Sequence, residues 1–282
     1  MRVAISAEST VDLTDELLKK YDIHTVPFTL VMGDECKLDD NVTTEEIIEF
    51  VNKTGVLAKT SAVNQEQYSD HFSALLKDYD AVVHITLSSE ISLAYQNAIR
   101  ASNDFKKVYV VNSKSLSTGI ALLAIYASEL ATAGFDAKRI CEMVTKRVEN
   151  VQASFVVNRL DYLYKGGRCS SLAYFGANIL KIRPQIIVKE GKLTTGNKYR
   201  GNMSIIVSKY LKDVLAQFNN PDYSKVFITY TTCSDEIIQK TKDALIAEGF
   251  KEIFVTRARG TITSHCGEEC LGVLYINDGG LN

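Results

Sequence analysis

The chain has 282 residues, 46% of them apolar and 23% charged, which is ordinary for a globular protein with ample core material. Its 32 basic and 34 acidic residues leave a formal net charge of −2, so no global field gathers nucleic acid or an anionic membrane. No run approaches the roughly 18 apolar residues of a spanning helix, and MRVAISAEST reaches Glu8 too early for a signal-peptide core, so a cytoplasmic location is expected.

In chain order, residues 2–6 (RVAIS), 82–87 (VVHITL) and 107–111 (KVYVV) are short β-branched runs, the pattern of strands buried on both faces. Apolar spacing of three and four residues predicts helices over 11–21, 44–53, 65–77, 92–103, 118–133 and 137–150. Strand and helix alternate, which predicts an N-terminal α/β domain with a parallel sheet over residues 1–153. From residue 154 the rhythm changes. FVV leads into a helical LDYLYKG, a Gly166–Gly167 turn, another helix, and the runs PQIIVKEG and KLTTGNKYR, which Gly191 joins as an antiparallel hairpin. A helix over 203–218, a strand VFITY, a helix over 236–248, a strand EIFVTR and a closing strand LGVLYI complete a C-terminal α+β domain with a mixed sheet over 154–282. With three prolines and no linker-like stretch, the two domains are expected to pack closely.

Ligands of open parallel sheets sit beyond the carboxyl ends of the strands. Here the corresponding turns are rich in hydroxyls: Ser9 and Thr10, Thr60 and Ser61 in the loop KTSAVN, Ser88, Ser89 and Ser92, then Ser113, Ser115 and Ser117. Taken singly, each reads as a helix N-cap. Converging on one crevice, they and the N–H groups of helix starts would form a short-range site for one carboxylate or phosphate. No G-x-G-x-x-G, G-x-x-x-x-G-K-[ST] or G-x-S-x-G string is present, so dinucleotide, P-loop nucleotide and nucleophile-elbow chemistry lack their usual cradles.

His265 stands in a polar, loop-like context and opens HCGEEC, which gathers an imidazole, two thiols and two carboxylates. No second C-x-x-C or H-x-x-x-H pair completes a ligand set, so no metal is expected, and Cys266 and Cys270 read as small buried side chains beside a strand. The six cysteines, Cys36, Cys141, Cys169, Cys233, Cys266 and Cys270, read as thiols of a reducing compartment. In YKGGRCSSL, Arg168 is either an exposed residue between a helix stop and the next helix start or an anion or partner contact.

The strings STVDL, KTSAVNQEQY, ITLSSEISLAYQNA, VVNSKSLSTG, FVVNRLDYLYKGGR, NKYR and SHCGEECLG follow one another across the whole chain. In that order and spacing they resemble the DegV family, whose members are similar to the fatty-acid-binding subunit of bacterial fatty acid kinase. The resemblance implies two α/β domains with a long-chain fatty acid buried between them and no cofactor. It also implies a carrier without catalytic residues, which presents the carboxyl group to a partner kinase subunit for acyl-phosphate formation and contacts membranes transiently for lipid exchange. Carried over by position, the carboxyl group would be held by Thr60, Ser61, Ser92 and His265, while Arg168 and Arg200 would contact the kinase or the acyl phosphate. Departures from the family pattern are Glu90, Leu93, Ala94, Asn112, Glu268 and Glu269; the glutamates would weaken carboxylate binding if they faced it.

An acyl chain of about 15 methylenes offers on the order of 12 kcal/mol on burial, of which ordering takes back several. Affinity then comes from an apolar tunnel and orientation from a few hydroxyls. Ala94, Ile99, Leu172, Phe175 and Ile179 lie on helices following residues 92 and 171 and serve either as its wall or as ordinary core. Two other readings stay open: a serine/histidine hydrolase or phosphatase, and a small-anion or nucleotide-binding regulatory module.

Overall fold

The computed structural model describes residues 1–169 and 183–280. The helix expected after the Gly-Gly turn, with Leu172, Phe175 and Ile179, lies outside the described residues.

Strand β1 (Val3–Glu8) is buried throughout and ends in a 3-10 turn at Ser9–Val11. The elements that follow are α1 (Asp15–Lys20), β2 (Ile23–Val26), β3 (Thr29–Met32), β4 (Glu35–Leu38), α2 (Thr44–Thr54), β5 (Lys59–Ser61), α3 (Gln65–Leu75), β6 (Ala81–Thr86), α4 (Ala94–Ser102), β7 (Val108–Asn112), α5 (Thr118–Thr132) and α6 (Ala137–Arg147). The second half contributes β8 (Val151–Val157), α7 (Asp161–Lys165), β9 (Arg183–Lys189), β10 (Lys192–Tyr199), α8 (Met203–Gln217), β11 (Lys225–Tyr230), α9 (Asp235–Ala247), β12 (Glu252–Arg257), α10 (Gly260–Cys266) and β13 (Cys270–Ile276).

A parallel sheet of order β2-β1-β6-β7 and a mixed sheet of order β10-β9-β8-β13-β11-β12 form the two main layers, as the sequence rhythm predicts. In the mixed sheet β11 and β12 run parallel and the other neighbours antiparallel. A small third sheet, β4-β3-β5, was not anticipated. Its strands of three or four residues show too little alternation to reveal a period of two. Helix α5 explains how the layers meet: it is apolar nearly all round and packs on β1 and β6 of one sheet and on β8, β11 and β13 of the other.

Three further expectations are corrected. The helix over 11–21 is split, because Asp12 adopts the left-handed region at φ 53° and Thr14 caps a new helix by accepting from the Leu17 N–H. The KTSAVN loop begins as strand β5. The polar loop around His265 is helix α10, which its β-branched GTITSHC composition hides. Strand β8 starts at Val151, inside the expected first domain, and belongs to the second sheet.

Candidate functional site

Between the two sheets lies a cavity of about 260 Å³. Its apolar wall includes Phe28 from the turn before β3, Leu87 and Ile91 after β6, Leu116, Phe155 of β8, Leu163 of α7, Leu193 of β10 and Ile262 of α10. A narrow apolar extension of about 20 Å³ continues past Leu116, Phe155, Ile262 and Cys266. Polar side chains border the cavity as Thr60, Ser61, Ser92, Thr261, His265 and Arg168.

Thr60 reaches the site because β5 pairs with β3, placing it opposite Leu30, and its Oγ1 lies 2.9 Å from His265 Nε2. Burial, then the neighbouring Arg168 guanidinium, pushes the His265 pKa down to about 4, so the ring is neutral near pH 7. Its Nδ1 is buried with no hydrogen-bond partner among the described residues. An unpaired buried N–H is costly, so we assign the single ring proton to Nε2, donating to Thr60 Oγ1. The Thr60 O–H is then left to donate into the cavity. Ser92 closes one helical turn from Ser88 and accepts the Ala94 N–H at 3.1 Å, one residue ahead of the N-cap Leu93 of α4, so it is not itself the N-cap. Accepting uses an oxygen lone pair and leaves its O–H free as well. Ser61, the exposed last residue of β5, borders the same cavity.

On the outer side of the Thr60–His265 pair is a second, solvent-facing hollow of about 450 Å³, lined by Lys59, Lys165 and Arg168 and, among the described residues, by no acidic side chain. Arg168 Nη1 donates to the Gly166 carbonyl at 2.6 Å. A Cβ on Gly166 would come within 2.7 Å of His265 Nδ1, so only glycine lets the end of α7 pass this close to the imidazole. The pair therefore separates a greasy interior from a cationic exterior.

Residues 2–278 match the DegV family of uncharacterised proteins. The chain belongs to the DegV family. The fatty acid-binding protein of Thermotoga maritima is 34% identical over 213 residues, covering 73% of this chain and 74% of that protein. Among solved structures, a fatty acid-binding DegV family protein of Thermus thermophilus superposes with a TM-score of 0.90 at 22% identity, covering 99% of this chain and 100% of that one. The fatty acid kinase B3 protein of Streptococcus pneumoniae, loaded with linoleic acid, gives 0.84 at 20% identity, with 99% and 100% covered. At those identities the two structures establish the DegV fold for this chain.

Of the four hydroxyl-rich turns, two reach the main cavity of this DegV chain, and Ser117 of a third lines its narrow extension. Ser9 donates to Asp39 and Ser117 to Asp12, Ser113 and Ser115 fold back on each other, and Ser88 donates to the Gly191 carbonyl at 2.8 Å. Ser89 and Asn112 bond each other, which braces the turn before Ser92. None of Ser88, Ser89 and Ser92 pairs with His265, whose Nε2 faces Thr60, and no carboxylate stands behind His265 among the described residues, so the nucleophile–base pairing of a serine hydrolase is not made at this site. The divergent glutamates turn away: Glu90 pairs with Lys192 at 3.3 Å, Glu268 with Arg159 at 3.6 Å, and Glu269 accepts from Asn158.

Arg200 lines neither hollow; it follows β10 at the end away from the Gly191 turn, roughly 30 Å along the strand at about 3.3 Å per residue. Ala94 packs in the main core and Ile99 is half-buried, and neither lines the two hollows, because their helical spacing directs them elsewhere on α4. Cys266 and Cys270 are buried thiols, no disulfide forms, and no three metal-capable side chains gather among the described residues. The wall residues Phe28, Leu116, Phe155, Leu163 and Leu193 escaped sequence reading, since apolar residues from distant segments carry no local sign of sharing a cavity. Thr261 and Ile262 had one: they precede His265 by four and three residues and share its face once GTITSHC is read as a helix.

Proposed function

We propose that this chain binds a long-chain fatty acid in the apolar cavity, places the carboxyl group at Thr60, Ser61, Ser92 and His265, and presents it to a separate kinase subunit for acyl-phosphate formation. The observation that carries the reading is the division of the cavity itself: apolar along its walls, with neutral O–H donors gathered where it meets the cationic hollow. Neutral donors suit a ligand that brings one charge and gains its affinity from buried methylenes. Lys59 and Lys165 stand outside that end and Arg168 borders both hollows, where a phosphoryl group added to the carboxyl would emerge. Arg200 is left out of this role.

The 34% identical fatty acid-binding relative from Thermotoga maritima and the linoleic acid-loaded kinase B3 protein support the ligand class and the partner, respectively. No cofactor is needed for this task. We also assign the chain to the cytoplasm, in keeping with cysteines that form no disulfide among the described residues, with loading and unloading at membranes by transient contact; no helix among the described residues is long and apolar enough to cross one.

Solvent extraction of protein purified from a bacterial host should release one fatty acid per chain by mass spectrometry. Combining Thr60→Ala with Ser92→Ala should lower acyl affinity by about 10²- to 10⁴-fold, the loss of two hydrogen bonds to a charged group at about 1.5–3 kcal/mol each, while shifting ligand-free stability by no more than about 1–2 kcal/mol. Unchanged acyl retention in the double variant would remove the head-group assignment.

A further inference from the structure

Helix α10 belongs to the second half of the chain, yet its first turn is held by two buried carboxylates of the first. Asp12 Oδ1 accepts the Arg259 N–H at 2.7 Å, and Asp39 Oδ1 accepts the Thr261 N–H at 2.8 Å. Their other oxygens accept from Ser117 Oγ at 2.5 Å and Ser9 Oγ at 2.6 Å, and both residues are 1% exposed. Ser9 in turn accepts the N–H of Phe28, a cavity-wall residue, at 3.1 Å. Thr44 Oγ1 donates to the Ala258 carbonyl at 3.0 Å, and a Cβ on the intervening Gly260 would come within 2.8 Å of Asp39 Oδ1 and 2.5 Å of Leu30 Cδ1.

A helix of seven residues does not sustain itself, and its first N–H groups need outside acceptors. Burying carboxylates to supply them costs more than an apolar contact would, so their places here call for a reason other than packing. One helical turn later, α10 presents Ile262, His265 and Cys266 to the cavity.

We propose that Asp12 and Asp39 are positioning residues of the head-group site, which fix the first turn of α10 and through it set His265 Nε2 against Thr60. The effect on lipid release rests on the fatty-acid reading; the placement of His265 does not. The groups facing Asp12 are the Arg259 guanidinium, Asp39, Ser117 and Cys270, and those facing Asp39 are Asp40, Ser9 and Thr261. Arg259 is itself engaged outward, by Asp40, Asp15 and the Leu13 carbonyl. Burial pushes Asp12 up to about 7 and raises Asp39 as well, so Asp12 takes up a proton near neutral pH. Its bond to the Arg259 N–H then loses charge assistance and weakens.

The test follows the His265 ring nitrogens by NMR, identified among the 4 histidines by His265→Gln, together with dissociation of a fluorescent fatty acid. In ligand-free Asp12→Asn and Asp39→Asn proteins the His265 pKa should rise from about 4 toward the ordinary 6.5. Acyl release should be roughly 10-fold faster in Asp39→Asn, the loss of about 1.4 kcal/mol. In the wild type it should speed up a few-fold as pH falls through about 7, and in Asp12→Asn it should stay at the fast value throughout. His265 resonances and release rates unchanged in both folded variants would overturn the proposal. If Asp39→Asn does not fold, Asp12→Asn and the wild-type pH profile decide it, a flat profile counting against it. A wild type that takes up no fatty acid would end the carrier reading, while the His265 titration would still settle the positioning role.

Discussion

His265 and Asp12 are both displaced from their ordinary titration ranges by burial, in opposite senses for the fold. The folded pKa of His265, about 4, lies below the unfolded 6.5, so the unfolded chain takes up the proton first. Its contribution is complete above about pH 6.5 and declines as pH falls toward about 4. His71, pushed to about 3 by burial and by His84, acts in the same direction. Each such histidine adds about 1.4 kcal/mol per pH unit to the acid slope, so His265→Gln should flatten urea-derived stability between pH 4 and 6.5 by about that amount. Asp12, whose folded pKa of about 7 exceeds the unfolded 3.8, instead costs stability as pH rises through that window. Asp12→Asn should therefore leave the protein more stable than wild type at pH 8 while loosening its hold on fatty acid, a pairing that a purely structural residue would not show.

At the scale of elements, the β9–β10 hairpin works as a strap. Glu190 and Gly191 adopt φ 51° and 82°, the left-handed pair of a type I′ turn, and the Gly191 carbonyl accepts from Ser88 at the start of the Ser92 turn. A Cβ on Gly191 would meet Ser88 Oγ at 2.6 Å. Gly191→Ala should cost about 1–2 kcal/mol in chemical denaturation and accelerate acyl dissociation by freeing the Ser92 turn. Dissociation as slow as in the wild type would mean the strap has no hold on the site. The hairpin was legible from two β-rich runs about a glycine, but its docking on Ser88 was not, since that contact spans 103 residues of sequence. The elements misjudged, α1, β2 to β5 and α10, are three to seven residues long; too few periods fit within them, and neighbours decide their conformation.

At the scale of the whole molecule, α5 joins two sheets of different topology, and the cavity exists only where both contribute wall. A ligand bound there ties the halves together and should raise thermal stability by mass action. At free fatty acid 100-fold above Kd the gain is about 2.7 kcal/mol, or about 5–10 °C in Tm for a chain of this size. Nucleotides should leave Tm unchanged in the same scan. A Tm indifferent to fatty acid and raised by a nucleotide would favour the regulatory-module reading instead.

The sequence alone determined the alternation of strands and helices, the change of rhythm near residue 153 and the family strings from which Thr60, Ser61, Ser92 and His265 were proposed, because these are local patterns of one or a few adjacent residues. Only the tertiary structure decided which hydroxyls face the cavity and which are consumed in internal bonds, that Arg168 reaches the site while Arg200 does not, and that Asp12 and Asp39 grip α10. Those outcomes depend on which distant segments share a surface. Burial and hydrogen-bond partners are properties of that surface, and residue spacing along the chain does not encode them.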